Sequence, residues 1–296
     1  LVPVMPDSEQ LALLLAESLI LTDEQAEAES VLKTLLEHLP CSVAVLNRLG
    51  RMYYDKEHYP EANQYFGRAI ELAPQNVEAL SYMGMMLIRF CQFDNALVAL
   101  QRAHAVEPRN VLVLNNLGRA CKMMGRHSKA LEWYDKALEV EPDNTVAVDN
   151  YLFALNYCHG LSPDFIAAEH LRLAKVYAKD VSHPLSSFVE PSDTCLRVGY
   201  LSGDLYTHSV TYFFEPILQS HNYGRFEVYC YSLGTNRDGT TDRLKSLPCK
   251  WRDMSGCSPE KVIEQVRCDM IDILVDLSGH TADNRLGVFA ARSAPV

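Results

Sequence analysis

The sequence predicts a superhelical stack of paired α-helices followed by a Rossmann-like α/β domain. Three observations support this fold class: a 34-residue period in the first half, a change to strand–helix alternation after residue 195, and a hydrophobic content of 48%. A chain of 296 residues is long enough for about two folded domains. We place the helical array at residues 1–160, a helical seam and linker at 161–195, and the α/β domain at 196–296.

Small, large and proline positions recur every 34 residues through the helical array. The columns are Gly50, Gly84 and Gly118; Leu32, Phe66, Leu100 and Tyr134; and Pro40, Pro74, Pro108 and Pro142. This pattern resembles the tetratricopeptide (TPR) repeat, a pair of helices in which the small residues permit close approach and proline ends the second helix. The large side chains are expected to fill the gap to the next repeat. We therefore predict a TPR solenoid of four repeats and a degenerate fifth, with a concave groove.

The helix position two residues before the glycine column is expected to line this groove. It holds Arg48, Tyr82, Asn116 and Asn150. An asparagine amide both donates and accepts, so it can hold an extended peptide by two backbone hydrogen bonds. The sequence thus predicts Asn116 and Asn150 as groove residues that bind a protein or peptide. Ordinary solvated helix positions are the alternative interpretation.

The repeat pattern decays after Asn150, and a different helix follows. Ser162 is a suitable N-cap for that helix and Pro163 suits its first turn. The segment 181–194, rich in serine and proline, is the predicted linker.

Strand and helix patterns alternate from residue 196 onward. The predicted strands are 196–202, 226–234, 250–255 and 271–279, and the predicted helices are 209–221, 240–247 and 258–270. Such alternation is typical of a parallel sheet with helices on both faces, in which ligands bind beyond the carboxyl ends of the strands. Two polar clusters stand at such ends: Ser202, Asp204, Thr207 and His208 after the first strand, and Gly279, His280 and Thr281 after the last. The chain has no G-x-G-x-x-G motif, so a dinucleotide fingerprint is absent.

Charge and cysteine content argue against several classes of protein. The net charge of −11, from 27 basic and 38 acidic residues, argues against a nucleic-acid or membrane-surface partner. None of the nine cysteines forms a C-x-x-C pair, so we predict no zinc or redox site and no metal. The start, "LVPVMPDSEQ", lacks the basic region of a signal peptide, so we expect none, and no uninterrupted apolar run reaches membrane-spanning length. We therefore expect a soluble, cytoplasmic protein.

TPR repeats followed by "LRVGYLSGDLYTHSV" (196–210) and "DILVDLSGHTADNRLGVFAARSAPV" (272–296) resemble the O-linked N-acetylglucosamine transferase and SPINDLY family. The resemblance implies a GT-B catalytic region of two Rossmann-like lobes, and residues 196–296 would form an incomplete N-terminal lobe. It implies inverting transfer of a sugar from a nucleotide donor to Ser or Thr of proteins, without a cofactor or a required metal. The TPR superhelix would recruit the protein acceptor.

The same resemblance assigns roles to residues of the two polar clusters. Asp204 and His208 match the catalytic-cleft Asp and His of the family, and His170 is related to a family histidine that precedes the first lobe. We assign substrate binding to the other cluster positions: Ser202, Thr207, Gly279, His280 and Thr281. An alternative is that His208 or Asp204 only caps the following helix through backbone amides.

The resemblance leaves the donor sugar open. We predict transfer of N-acetylglucosamine from UDP-GlcNAc, and GDP-fucose is the alternative because the "THSV" and "GHT" details resemble SPINDLY members. A non-catalytic TPR scaffold is a third hypothesis. In the family, "SAPV" leads into the rest of the first lobe and a second lobe that carries most nucleotide-binding residues. We therefore expect the 296-residue chain alone to be inactive.

Overall fold

A computed structural model describes residues 6–22, 24–178, 195–281 and 284–296. The chain divides into two compact units, Leu1–His159 and Gly160–Val296. The predicted linker at 181–194 lies outside the described residues. Within the described ranges, no helix is both long enough and apolar enough to span a membrane.

The first unit is built from helix pairs, which confirms the predicted TPR solenoid. Its helices are α1 (Pro6–Leu21), α2 (Gln25–His38), α3 (Val43–Asp55), α4 (Tyr59–Leu72), α5 (Val77–Arg89), α6 (Phe93–Val106), α7 (Val111–Met123), α8 (His127–Val140) and α9 (Thr145–Leu155). The residue after each repeat's turn caps the next helix: the side chains of Ser42, Asn76, Asn110 and Asn144 accept hydrogen bonds from backbone amides three residues on.

The glycine and large columns contact each other directly within one repeat. A Cβ atom on Gly50 would come within 2.7 Å of the Phe66 ring, and one on Gly84 within 2.5 Å of Leu100. The large residue therefore packs against the glycine of its own repeat in addition to the predicted contact with the next repeat. Phe66 does both, because its ring also stacks on Tyr82 of the following repeat with centroids 5.1 Å apart.

Tyr134 occupies the large column against Gly118 and is fully buried. Its hydroxyl has no hydrogen-bond partner among the described residues, and burial raises the pKa of the phenol. We expect Tyr134→Phe to leave the free energy of unfolding unchanged or raise it by about 1 kcal/mol, because it removes an unpaired buried hydroxyl and keeps the ring. Urea denaturation measures this change. A loss of stability would contradict the assignment of an unpaired hydroxyl.

The second unit contains a four-stranded, all-parallel sheet, which confirms the Rossmann-like prediction. Its elements are α10 (Pro163–Leu173), a 3₁₀ turn (Ala174–Ala178), β1 (Leu196–Ser202), α11 (Ser209–Gln219), β2 (Phe226–Ser232), α12 (Gly239–Lys245), β3 (Lys250–Asp253), α13 (Pro259–Cys268), β4 (Ile273–Asp276) and α14 (Leu286–Ala290). The strand order is β3-β2-β1-β4.

Helices cover both faces of this sheet. Alternate residues of β2 point to opposite faces, so each face packs against a different set of helices. Tyr229 and Tyr231 pack on one face in a cluster with α13. Val228 and Cys230 pack on the other face in a cluster with α11 and α12. The sheet core therefore fixes the strand ends from which the functional loops depart.

Candidate active site at the carboxyl edge of the sheet

The loops that follow β1, β2 and β4 meet at one edge of the sheet. The amide of Leu233 donates to the Ser202 carbonyl at 2.9 Å, and the amide of Leu277 donates to the Leu201 carbonyl at 3.1 Å. The first two loops touch so closely that a Cβ atom on Gly234 would collide with the carbonyl oxygen of Gly203. Only glycine fits at position 234 unless the backbone shifts.

Asp204 and His208 lie side by side in the loop between β1 and α11. Asp204 Oδ2 is 3.8 Å from His208 Nδ1, and the two side chains are 16% and 34% exposed respectively. Ser202 is fully buried, and its hydroxyl accepts a hydrogen bond from the Asp204 amide at 3.0 Å. In this structure Ser202 shapes the turn that presents Asp204, and its predicted contact with substrate stays a prediction.

His208 is also the N-cap residue of α11. The amide of Val210 donates to its Nδ1 atom at 3.4 Å. The same atom, His208 Nδ1, therefore contacts the backbone N–H that it caps and lies near the Asp204 carboxylate. Asp204 itself is not the N-cap residue of α11.

Two buried threonines hold the Asp204–His208 loop in place. Thr211 Oγ1 lies 2.9 Å from the Asp204 carbonyl and 2.7 Å from the Tyr206 carbonyl, and Thr241 Oγ1 donates to the Leu205 carbonyl at 2.8 Å. Sequence reasoning missed both residues. Each threonine lies in the first turn of a helix that follows a strand. Threonine is so common at such positions that this pattern alone could not identify them.

Thr207 ties the same loop to the start of α12. Its amide donates to Asp238 Oδ2 at 2.9 Å, and its hydroxyl is 2.9 Å from the Thr240 hydroxyl. Asp238 also caps α12 through the amides of Thr240 and Thr241. Hydrogen bonds from Thr207, and then from those two amides, lower the pKa of Asp238 to about 2. Thr207 remains exposed, so its predicted role in substrate binding stays open to test.

The second polar cluster is shaped by Asp276, which the sequence analysis did not select. Its carboxylate accepts the amides of Ser278 and Gly279, each at 2.9 Å. Gly279 has φ +56°, a conformation that L side chains adopt rarely. The Thr281 hydroxyl donates to the Ser278 carbonyl at 2.8 Å. These bonds close a tight loop immediately after β4.

The structure brings together two of the predicted histidines from positions 110 residues apart. His280 Nε2 lies 3.4 Å from His170 Nδ1, and His280 Nδ1 lies 3.4 Å from the hydroxyl of Tyr177. Burial, and then the neighbouring His280, lower the pKa of His170. His170 therefore favours its neutral form at neutral pH and is positioned to hold the His280 ring in one orientation.

Among residues 6–22, 24–178, 195–281 and 284–296, no cluster of three or more His, Cys, Asp or Glu side chains is arranged to bind a metal ion. Two serine hydroxyls near the candidate site, those of Ser232 and Ser278, are buried and have no partner within the same ranges.

The first unit contains a separate concavity over α7 and α9, with a volume of about 1060 Å³. Both predicted groove residues, Asn116 and Asn150, line it. Asn116 is 5% exposed, and its Nδ2 atom has no hydrogen-bond partner in the described part of the chain. Asn115 and Arg119, which the sequence analysis did not select, line the same surface.

Comparison with known proteins assigns both halves of the chain. The family model described as glycosyl transferase family 41 matches residues 161–296. This segment, a little under half of the chain, is therefore similar to glycosyl transferase family 41. Models of the tetratricopeptide repeat match residues 43–76 and 111–144. Asp204, His208, His170 and His280 all lie within the family 41 segment.

Curated relatives are similar over part of their length. A probable UDP-N-acetylglucosamine–peptide N-acetylglucosaminyltransferase SPINDLY from Oryza sativa subsp. japonica is 40% identical over 153 residues, which cover 50% of this chain and 16% of the relative. A probable UDP-N-acetylglucosamine–peptide N-acetylglucosaminyltransferase SEC from Arabidopsis thaliana is 33% identical over 103 residues, which cover 34% of this chain and 10% of the relative.

A solved structure is similar to most of the chain. A mutant O-GlcNAc transferase from Thermobaculum terrenum matches with a TM-score of 0.74 and 34% identity, over 86% of this chain and 49% of that chain. The chain therefore spans about half of that protein. The fold and family predicted from the sequence are confirmed, and the roles of individual site residues stay predictions.

Proposed function

We propose that this chain is part of a protein O-glycosyltransferase that transfers N-acetylglucosamine from UDP-GlcNAc to Ser or Thr hydroxyls of proteins. The relatives and the solved structure supply the reaction class through their names. We place the enzyme in the cytoplasm, because its nine cysteines are all free. The TPR unit is proposed to recruit the acceptor proteins.

The observation that carries this proposal is the Asp204–His208 pair at the carboxyl edge of the family 41 sheet. A serine hydroxyl is a weak nucleophile near neutral pH, so the reaction gains from a nearby group that accepts its proton. An imidazole that is one-third exposed and adjacent to a carboxylate suits that task.

Two tautomers of His208 would serve different steps. When Nδ1 accepts the Val210 amide, the proton is on Nε2, which can then donate a hydrogen bond to substrate. When Nδ1 carries the proton it faces Asp204, and the lone pair of Nε2 is free to accept a proton from the acceptor hydroxyl. The distances of 3.4 Å and 3.8 Å are both long, so neither arrangement is locked.

The second candidate is transfer of fucose from GDP-fucose, favoured by the likeness of the "THSV" and "GHT" segments to SPINDLY members. Both candidates place the same demands on Asp204 and His208, because each forms a glycosidic bond to a protein hydroxyl. The two candidates therefore differ only in which sugar nucleotide the enzyme uses as donor.

The test is a labelling reaction with the longer protein that contains this chain. Radiolabelled UDP-GlcNAc or GDP-fucose is supplied with desalted cell lysate, and label on protein is measured with and without excess unlabelled donor. We expect protein label from UDP-GlcNAc that the unlabelled donor competes away. Label from GDP-fucose alone would establish the second candidate. Absence of label from both donors would overturn the enzyme proposal and favour a non-catalytic scaffold.

A further inference from the structure

The side-chain contacts of His208 hold its imidazole only loosely. The Nδ1 atom lies 3.4 Å from the Val210 amide and 3.8 Å from Asp204 Oδ2, and both distances are long for a hydrogen bond. The side chain is also one-third exposed, so packing restrains it less than it would a buried ring. A reacting group must be held within about 0.5 Å of its productive position. The placement of the imidazole therefore depends on how firmly the backbone before His208 is held.

Asp238, the residue that precedes α12, contacts that backbone. Its two carboxylate oxygens bind different elements. Oδ1 accepts hydrogen bonds from the amides of Thr240 and Thr241, at 2.9 and 3.1 Å, and so caps α12. Oδ2 accepts a hydrogen bond from the amide of Thr207 at 2.9 Å, and Thr207 immediately precedes His208. One carboxylate thus joins the start of α12 to the peptide that leads into His208.

Two hydroxyl groups in the first turn of α12 strengthen this connection. The Thr240 hydroxyl lies 2.9 Å from the Thr207 hydroxyl, and Thr241 Oγ1 donates to the Leu205 carbonyl at 2.8 Å. Thr240 and Thr241 are both buried, so their side chains are held by the surrounding core. Together with the bond to Asp238, these contacts attach the segment 205–207 to a helix more than 30 positions further along the chain.

The loop that carries Asp238 is itself anchored to the sheet. Arg237 donates from Nη1 to the Gly234 carbonyl at 2.6 Å and from Nη2 to Asp253 Oδ1, at the end of β3, at 2.8 Å. Gly234 packs directly against Gly203 of the loop after β1. The pKa of Asp238 is lowered to about 2 by its hydrogen bonds, first of all those from Thr207, so the carboxylate is ionised at neutral pH. Asp238 is therefore a fixed acceptor on a fixed loop.

We propose that Asp238 is a positioning residue for sugar transfer: its Oδ2 atom fixes the Thr207 peptide and thereby the place of the His208 imidazole at the carboxyl edge of the sheet. The inference rests on the proposed function, because that function gives His208 its role as proton acceptor. Asp238 acts through His208 and requires no contact with substrate. The alternative is that Asp238 only caps α12.

Asp238→Ser separates the cap from the contact with Thr207. Serine is about as favourable as aspartate at an N-cap, so α12 should keep its start. The single hydroxyl oxygen of serine cannot cap α12 and also reach Thr207. Asp238→Asn is a second variant of the same design, because it keeps the size of aspartate and a good N-cap but replaces one acceptor oxygen by an N–H donor.

Ser258→Ala is the matched control. It removes the N-cap side chain of α13, which accepts a hydrogen bond from the Lys261 amide at 3.5 Å. This variant loses a helix cap in the same domain and leaves the contact between Asp238 and Thr207 in place.

The first measurement is hydrogen–deuterium exchange at the Thr207 amide in the 296-residue chain, which requires no sugar transfer. We expect exchange to be roughly tenfold faster in Asp238→Ser and in Asp238→Asn, because the amide loses its hydrogen bond to a charged acceptor. Amides of β1 and β2 should keep their protection, which shows that the fold is retained. Ser258→Ala should leave exchange at Thr207 unchanged. Unchanged exchange at Thr207 in the two Asp238 variants would overturn the inference.

The second measurement is kcat and the KM for the sugar nucleotide in the longer enzyme, with whichever donor labels protein. We expect kcat to fall by roughly 10–100-fold in Asp238→Ser, up to the loss that follows a misplacement of about 1 Å. The KM for the donor should stay unchanged, because the lost contact acts on the transfer step. Ser258→Ala should keep both values. A normal kcat in Asp238→Ser, or an equal loss in Ser258→Ala, would contradict the positioning role.

The two measurements separate failure of the inference from failure of the proposed function. If the wild-type enzyme labels protein and Asp238→Ser does so equally fast, the positioning role is rejected and the transferase remains. If the wild-type enzyme labels no protein from either donor, the transferase is rejected. Faster exchange at Thr207 would then still establish that Asp238 anchors the loop that carries His208.

Discussion

Replacing His208 with asparagine is expected to reduce sugar transfer by roughly 10²–10⁴-fold, the range for loss of a positioned general acid or base. Asparagine is a favourable N-cap residue, so His208→Asn keeps the cap on α11 while it removes the imidazole. The variant therefore separates the helix-cap contact of His208 from its proposed catalytic role. The measurement is kcat/KM for labelled donor in the longer enzyme, with thermal unfolding of the same samples.

His58→Asn is the matched control, since it makes the same exchange at the N-cap of α4, where the histidine side chain caps nothing. We expect that control to retain full activity. Asp204→Asn should cause a smaller loss than His208→Asn, because it removes the charge that supports an Nδ1-protonated His208. If His208→Asn transfers sugar at the normal rate, His208 is a helix cap and not a catalytic residue.

Removal of the Asp269 carboxylate is expected to cause the largest loss of stability. Arg252 donates to this carboxylate from Nε at 3.0 Å and from Nη2 at 2.6 Å, and the Tyr231 hydroxyl and Gln265 Nε2 donate at 2.8 and 3.0 Å. Asp269→Ala would leave a buried hydroxyl and a partly buried guanidinium unpaired. We expect a loss of about 3 kcal/mol, the low end for a broken buried pair, because the Arg252 side chain is 33% exposed.

The chain offers a matched surface pair as the control for Asp269→Ala. Glu215 and Arg243 form the same two-bond geometry, with both distances at 3.0 Å, but the Arg243 side chain is 58% exposed. Glu215→Ala should therefore cost less than about 1 kcal/mol. Urea unfolding followed by Trp251 fluorescence in a Trp133→Phe background reports on the sheet, because the chain has two tryptophans. Equal decreases in the free energy of unfolding for Asp269→Ala and Glu215→Ala would contradict the prediction that the buried pair contributes more.

The stability contribution of Asp269 should also depend on pH. Burial alone would raise the pKa of this carboxyl, but hydrogen bonds from Arg252, Gln265 and Tyr231 outweigh burial and lower the pKa below its ordinary 3.8. The unfolded chain then binds the proton more readily, so stability from this group is complete above about pH 4 and is lost as pH falls through the folded pKa. The difference in unfolding free energy between wild type and Asp269→Ala should narrow in acid.

Features that depend on neighbours along the chain were predictable from the sequence. The 34-residue columns predicted the helix pairs because the glycine and large positions of one repeat, such as Gly50 and Phe66, contact each other directly. The parallel sheet followed from strand–helix alternation, and the polar edge followed from the strand ends. Asp204 and His208 were found together because they lie only four positions apart in one loop.

Contacts between distant segments were decided by the tertiary structure alone. The His170–His280 pair joins positions 110 residues apart, and the Gly203–Gly234 contact depends on how β1 and β2 align. The sequence by itself determined the repeat period, the ends of the strands and the helix N-caps, because each of these depends on residues that are close together along the chain. The tertiary structure decided which side chains meet and which remain unpaired, because strand order and helix packing set those distances.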